Sequence, residues 1–94
     1  MPLFALACFD KPNSLDLRMA TSEAHLAYVS ERIEMVKLAG PLLDETEAMA
    51  GSLFILDAPD RAAVLAFNAA DPYQQAGLFG RVDIRGFRAS IGTI

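Results

Sequence analysis

No stretch of this sequence is apolar for the ~18 to 20 consecutive residues that a bilayer-spanning helix requires. The longest apolar run, residues 3–9, has the length of a strand. The first residues lack the charged and apolar regions of a secretory signal. Cysteine is nearly missing. Cys8 stands alone inside the apolar run, so no internal disulfide forms, and a reducing cytoplasm is the expected setting. Basic charge is short as well: 8 Lys and Arg stand against 12 Asp and Glu, for a net charge of −4 and a pI of about 4.7. The basic residues are scattered with no stripe, which is the wrong balance for a phosphate backbone, and nucleic acid is not an expected partner. One histidine and one cysteine cannot assemble a typical zinc site, and carboxylates alone would hold only a weak hard cation. Gly77 and Gly80 do not have the spacing of a dinucleotide or phosphate loop. Low-complexity tracts and solenoid-period repeats are absent. Neither a metal nor a cofactor is expected, and no membrane partner.

Apolar side chains are plentiful. Over 94 residues, 53% are hydrophobic and the mean hydropathy is +0.29. A single domain covering residues 1–94 is the expectation at this length. So short a chain has a marginal core of its own, yet it carries more apolar material than one small monomer hides easily. A permanent partner surface would absorb the excess.

Along the chain, residues 3–9 read as a first strand that stops at Asp10-Lys11-Pro12-Asn13-Ser14. A loop then continues through Leu17 and Arg18 to about Thr21. Thr21 or Ser22 suits an N-cap and Glu23 suits the positive end of a helix dipole. Leu26, Val29, Ile33 and Val36 recur at helical spacing, predicting an amphipathic helix that ends near Ala39-Gly40. Pro41-Leu42-Leu43 is a short extended segment, and residues 44–50 form a connection. Residues 52–56 are apolar on both faces, as a strand covered on both sides would be. Asp57 can cap a second helix, with Pro59 in its first turn and Asp60 favouring its dipole. Asp71-Pro72 breaks that helix, and one further turn follows. Residues 81–85 alternate as a half-buried strand, and a bulge at Gly86 would return Phe87 to the apolar face. The order is β-α-β-β-α-β. This is the α+β, ferredoxin-like plan, an antiparallel sheet with two helices on one face. A second copy, sheet against sheet, is the simplest cover for the other face and gives a homodimer.

Several segments also carry a resemblance. Leu17-Arg18-Met19-Ala20-Thr21-Ser22-Glu23-Ala24-His25-Leu26-Ala27-Tyr28 is one. Ala39-Gly40-Pro41-Leu42-Leu43-Asp44, Gly51-Ser52-Leu53-Phe54-Ile55 and Ala70-Asp71-Pro72-Tyr73 are others. Ala76-Gly77-Leu78-Phe79 and Val82-Asp83-Ile84-Arg85 complete the set. Together, in this order and spacing, they resemble the YciI-related (YCII) family. The resemblance implies a dimeric α/β barrel of ferredoxin-like protomers, with an active site built on a His–Asp pair that falls here on His25 and Asp71. It also implies chemistry such as dehydrochlorination of chlorinated aromatics. Neighbouring families of the barrel include muconolactone isomerases and cofactor-free monooxygenases, a kinship of fold alone.

The residues themselves leave alternatives open. His25, expected in the first turn or so of its helix, reads as a surface or capping residue or as a proton acceptor near neutral pH. Asp71 reads as Asp-Pro turn chemistry or as the carboxylate that fixes an imidazole tautomer. Arg18 is either a solvated loop arginine or a bidentate anchor for an anionic substrate. Ser52 either bonds to backbone at a strand start or completes a Ser–His–Asp set, although no nucleophile-elbow pattern surrounds it. Tyr73 is pocket wall or packing. The expected function is a cofactor-independent small-molecule enzyme doing lyase- or isomerase-like acid–base work on a small cyclic or aromatic compound. Its catalytic residues would be His25 and Asp71, and its substrate-binding residues Arg18, Ser52 and Tyr73. The alternative is a homodimer, or a larger assembly of such dimers, that binds a small-molecule ligand without transforming it.

Overall fold

The computed structural model describes residues 2–94. Strand β1 (Leu3–Asp10) leads into helix α1 (Leu15–Ser30). A short 3-10 turn (Ile33–Met35) precedes β2 (Val36–Leu43), which forms a hairpin with β3 (Met49–Asp57). Helices α2 (Arg61–Ala70) and α3 (Pro72–Gln75) follow, and β4 (Phe79–Phe87) closes the sheet. The strand order is β2-β3-β1-β4 and every pairing is antiparallel. This is the ferredoxin-like βαββαβ arrangement, with β1 and β3 in the centre.

Strand periodicity decides which side chains meet the helices. Leu6 and Cys8 of β1, Phe54 and Leu56 of β3 and Ile84 of β4 pack in one core with Tyr28, Val64, Phe67, Tyr73 and Leu78. Successive strand residues point to opposite faces, so Phe9, Leu53, Ile55 and Phe87 turn to the other side. Leu38 of β2 pairs with Ile55 and is 56% exposed.

Helix α1 corrects the sequence reading. It begins six residues before Thr21 and ends well short of Gly40. Asn13 adopts a left-handed φ of 58° that turns the chain out of β1, and Ser14 occupies the N-cap position. Thr21 and Ser22 lie mid-helix and donate to the Leu17 and Met19 carbonyls. Leu26 and Ile33, expected in the core, are 62% and 61% exposed. The face that α1 buries is Arg18, His25 and Tyr28, a polar and aromatic stripe that an aliphatic periodicity does not register. Residues 36–40 form an edge strand instead of a helix end, and the edge also accommodates Pro41.

Two smaller corrections concern caps and bulges. Asp57 ends β3, and Asp60 is the N-cap of α2, accepting from the Ala63 N–H at 2.9 Å. Pro59 therefore precedes the cap. No shift occurs at Gly86, which pairs in register with Phe4. The shift lies at the other end of β4, where Phe9 pairs with Arg81 but Asp10 with Phe79. Gly80 is the extra residue, and a Cβ there would come within 3.3 Å of Lys11.

Candidate active site

Asp71 ends α2 and begins α3. Proline at position 72 forces the residue before it out of the helical region, and Asp71 is extended, with φ −64° and ψ 127°. Its Oδ1 accepts from the Tyr73 backbone N–H at 2.9 Å, so it caps α3. The same oxygen lies 2.8 Å from His25 Nδ1. Asp71 is fully buried, with 0% exposure, and His25 is 8% exposed. The turn reading and the pair reading of Asp71 thus hold together in one carboxylate. Asp71 Oδ2 is buried and has no hydrogen-bond partner among the described residues.

His25 sits in the third turn of α1, not the first, and faces inward. Its ring stacks on Tyr73 with centroids 4.0 Å apart and planes at 16°. Phe54 approaches it at 5.9 Å. With Nδ1 facing a carboxylate, the favoured tautomer places the proton on Nδ1 and the lone pair on Nε2.

Arg18 is in the first turn of α1, not in a loop before it, and only 2% of it is exposed. Asp10 explains how it can be buried. Arg18 Nε donates to Asp10 Oδ2 at 2.7 Å and Nη2 donates to Oδ1 at 2.9 Å. Nη2 also donates to Ser52 Oγ at 2.9 Å. Burial works against the guanidinium charge, but Asp10 outweighs it and Arg18 titrates above its already high range. Its Cζ lies 4.5 Å from the centre of the Tyr73 ring. Burial, with Asp71 nearby, also raises the Tyr73 phenol above its ordinary value, against the pull of Arg18.

All five expected residues therefore gather in one buried cluster: His25 and Arg18 from α1, Ser52 from β3, Asp71 and Tyr73 from α3. Asp10 was missed. Its signal was available in the alternation Leu6, Cys8, Asp10, which places the carboxylate on the helix-covered face. Cys8 lies close by, its Sγ 3.7 Å from Asn68 Oδ1. Burial, and then the charge of Asp71, pushes its thiol from 9.0 up to about 12. Among the described residues, no three His, Cys, Asp or Glu side chains converge as metal ligands would. A groove of about 510 Å³ lies to one side, lined by Tyr28, Arg32, Phe67 and the small side chains of α2. Its lining does not include His25 or Asp71.

The chain is similar to several solved structures. One is 5-chloro-2-hydroxyhydroquinone dehydrochlorinase (TftG) from Burkholderia phenoliruptrix, in complex with 2,5-dihydroxybenzoquinone. It shares 31% identity over 92% of this chain and 93% of its own, with a TM-score of 0.85. An antibiotic biosynthesis monooxygenase shares the fold at 16% identity, over 97% of this chain and 100% of its own, with a TM-score of 0.56. A NIPSNAP domain protein from Burkholderia xenovorans does so at 13% identity, over 99% and 100%, with a TM-score of 0.54. No curated protein shows significant similarity. Residues 2–88 match the YCII-related domain. The chain is a member of the YCII-related domain family.

Proposed function

We propose that this protein is a cofactor-independent small-molecule enzyme that eliminates HCl from a chlorinated, hydroxylated aromatic ring. His25 is the proton acceptor and Asp71 its orienting carboxylate. The observation that carries the reading is the buried 2.8 Å contact between His25 Nδ1 and Asp71 Oδ1, in a chain 31% identical to a dehydrochlorinase. Asp71 holds the imidazole in the tautomer that leaves Nε2 basic and stabilises the imidazolium once Nε2 takes a proton.

On 5-chloro-2-hydroxyhydroquinone, loss of HCl balances without an oxidant. One hydroxyl proton moves to the ring carbon that carried chlorine, and a second leaves through Nε2. The C–Cl bond breaks and chloride departs with the electron pair. The ring is thereby oxidised to a hydroxybenzoquinone. Tyr73 is 3% exposed and its ring is taken up by His25 on one face and Arg18 on the other, so we assign it to backing the imidazole and not to receiving the substrate ring. Arg18 already spends Nε and Nη2 on Asp10 and Ser52, so we assign it and Ser52 to holding Tyr73 in place, not to anchoring an anion.

The assembly is part of the proposal. The sheet face away from the helices carries Leu38 and Phe9 partly open, and a second copy laid on it forms the homodimer. Sedimentation of a monomer at micromolar concentration would refute the dimer.

The test of function is incubation with 5-chloro-2-hydroxyhydroquinone, following chloride release and quinone absorbance. Turnover that His25→Ala reduces by about 10²–10⁴-fold, with the fold retained, is the expected result. Full turnover in that variant removes His25 from the reaction. A compound that stabilises the protein and is recovered unchanged would favour the ligand-binding alternative.

A further inference from the structure

The bond to Asp71 does not by itself fix the imidazole. A single hydrogen bond at Nδ1 holds one point of the ring, and the ring can still turn about an axis through that point. Such a turn would swing Nε2 through an arc. The Tyr73 ring blocks this motion, because at 4.0 Å and 16° any tilt drives an imidazole edge into the phenol.

Tyr73 must then itself be held. Its backbone N–H is tied to Asp71 Oδ1. Phe79 meets its ring edge-on at 5.9 Å and 71°, and the Arg18 guanidinium lies over it at 4.5 Å. Arg18 cannot drift. Two donors are paired with Asp10 and one of them also reaches Ser52, a fork that a carboxylate fixes in both position and plane. A buried ion pair is a poor choice for stability alone, since apolar side chains of similar volume do as well or better.

We infer that Asp10 and Arg18 are a positioning pair: they keep Tyr73 flat against His25 and so set the direction of Nε2, without touching the substrate. This rests on the reading of His25 as proton acceptor. The spectroscopic test below does not need turnover, so either idea can fail alone.

The experiment is NMR of the His25 imidazole in nitrogen-labelled full-length protein, with the Tyr73-to-His25 proton cross-peaks as the second readout. The expected result for the native protein is one sharp, slowly exchanging Nδ1–H. The paired variant Asp10→Asn/Arg18→Met removes both charges together, so neither is left buried alone. In that variant the Nδ1–H broadens and the cross-peaks weaken while the thermal transition stays cooperative. Tyr73→Leu loses the signal in the same way, and Tyr73→Phe, which keeps the ring plane, preserves it. With the chlorinated hydroquinone as substrate, kcat of the paired variant falls about tenfold and KM moves less than about twofold. If the paired variant does not fold, Arg18→Lys serves, keeping the charge but losing the fork, with partial broadening expected. An unchanged Nδ1–H and unchanged cross-peaks in whichever variant folds would overturn the inference.

Discussion

The two ends of the helix–sheet interface are built from different chemistry. At one end Tyr28, Phe54, Val64 and Phe67 pack as an apolar cluster. Tyr28 and Phe67 meet at 5.4 Å, and the Tyr28 hydroxyl donates to the Phe67 carbonyl at 2.7 Å. At the other end the same two layers enclose Asp10, Arg18, Ser52, His25 and Asp71. Those groups contribute little net stability and impose strict geometry. The contrast teaches that one end holds the domain together and the other aims a side chain.

The comparison can be broken from either side. The largest effect is expected at the polar end. Asp71→Asn keeps the shape but removes the carboxylate, and turnover should fall by roughly 10³–10⁴-fold, with only a modest change in the denaturant midpoint. Chloride-release kinetics beside a urea melt would measure both. At the apolar end Phe67→Ala should cost about 3–5 kcal/mol of stability. In the fraction that remains folded, the imidazole signal of His25 should be unchanged.

Alkali sharpens the contrast further. Cys8 is held neutral in the fold up to about pH 12, whereas the unfolded thiol ionises near 9.0. Between those values the unfolded chain binds fewer protons than the folded one, so stability falls as pH rises. The slope is about 1.4 kcal/mol per pH unit. Urea midpoints taken across that window should decline in the native protein and decline less in Cys8→Ala. Iodoacetamide at pH 8 should label Cys8 only when the protein is unfolded. The smallest effect belongs to neither end: Asp60→Ala removes the α2 cap and should cost about 1 kcal/mol without altering turnover.

How legible each end was in the sequence follows from its chemistry. Short apolar runs bounded by turn residues, and Pro72, sufficed for β1, β3 and the break between α2 and α3, because each is local. Helix α1 was misplaced because its buried positions are Arg18, His25 and Tyr28, while Leu26 and Ile33 offered a false aliphatic stripe. The pairing of His25 with Asp71 was reachable only through the family resemblance. Forty-six residues separate them, and no local pattern brings such residues together. Asp10 was lost because the partner that would have marked it, Arg18, was read as a loop residue. Gly86 was mistaken for the bulge because its neighbour Phe87 was assumed to be buried, whereas it remains 41% exposed.

The single extra residue at Gly80 also governs where this chain tolerates changes in length. The turn at residues 44–48 is outside the core, closed by Asp44 accepting from Thr46 and Ala48, and can lengthen without moving anything that matters. Between Phe79 and Arg81 one residue more or fewer would reverse which way Phe79 points. The aromatic edge behind Tyr73 would then face solvent. Natural and engineered insertions should accumulate in the first place and be missing from the second, as though the outer strand carried a counting mark for the imidazole.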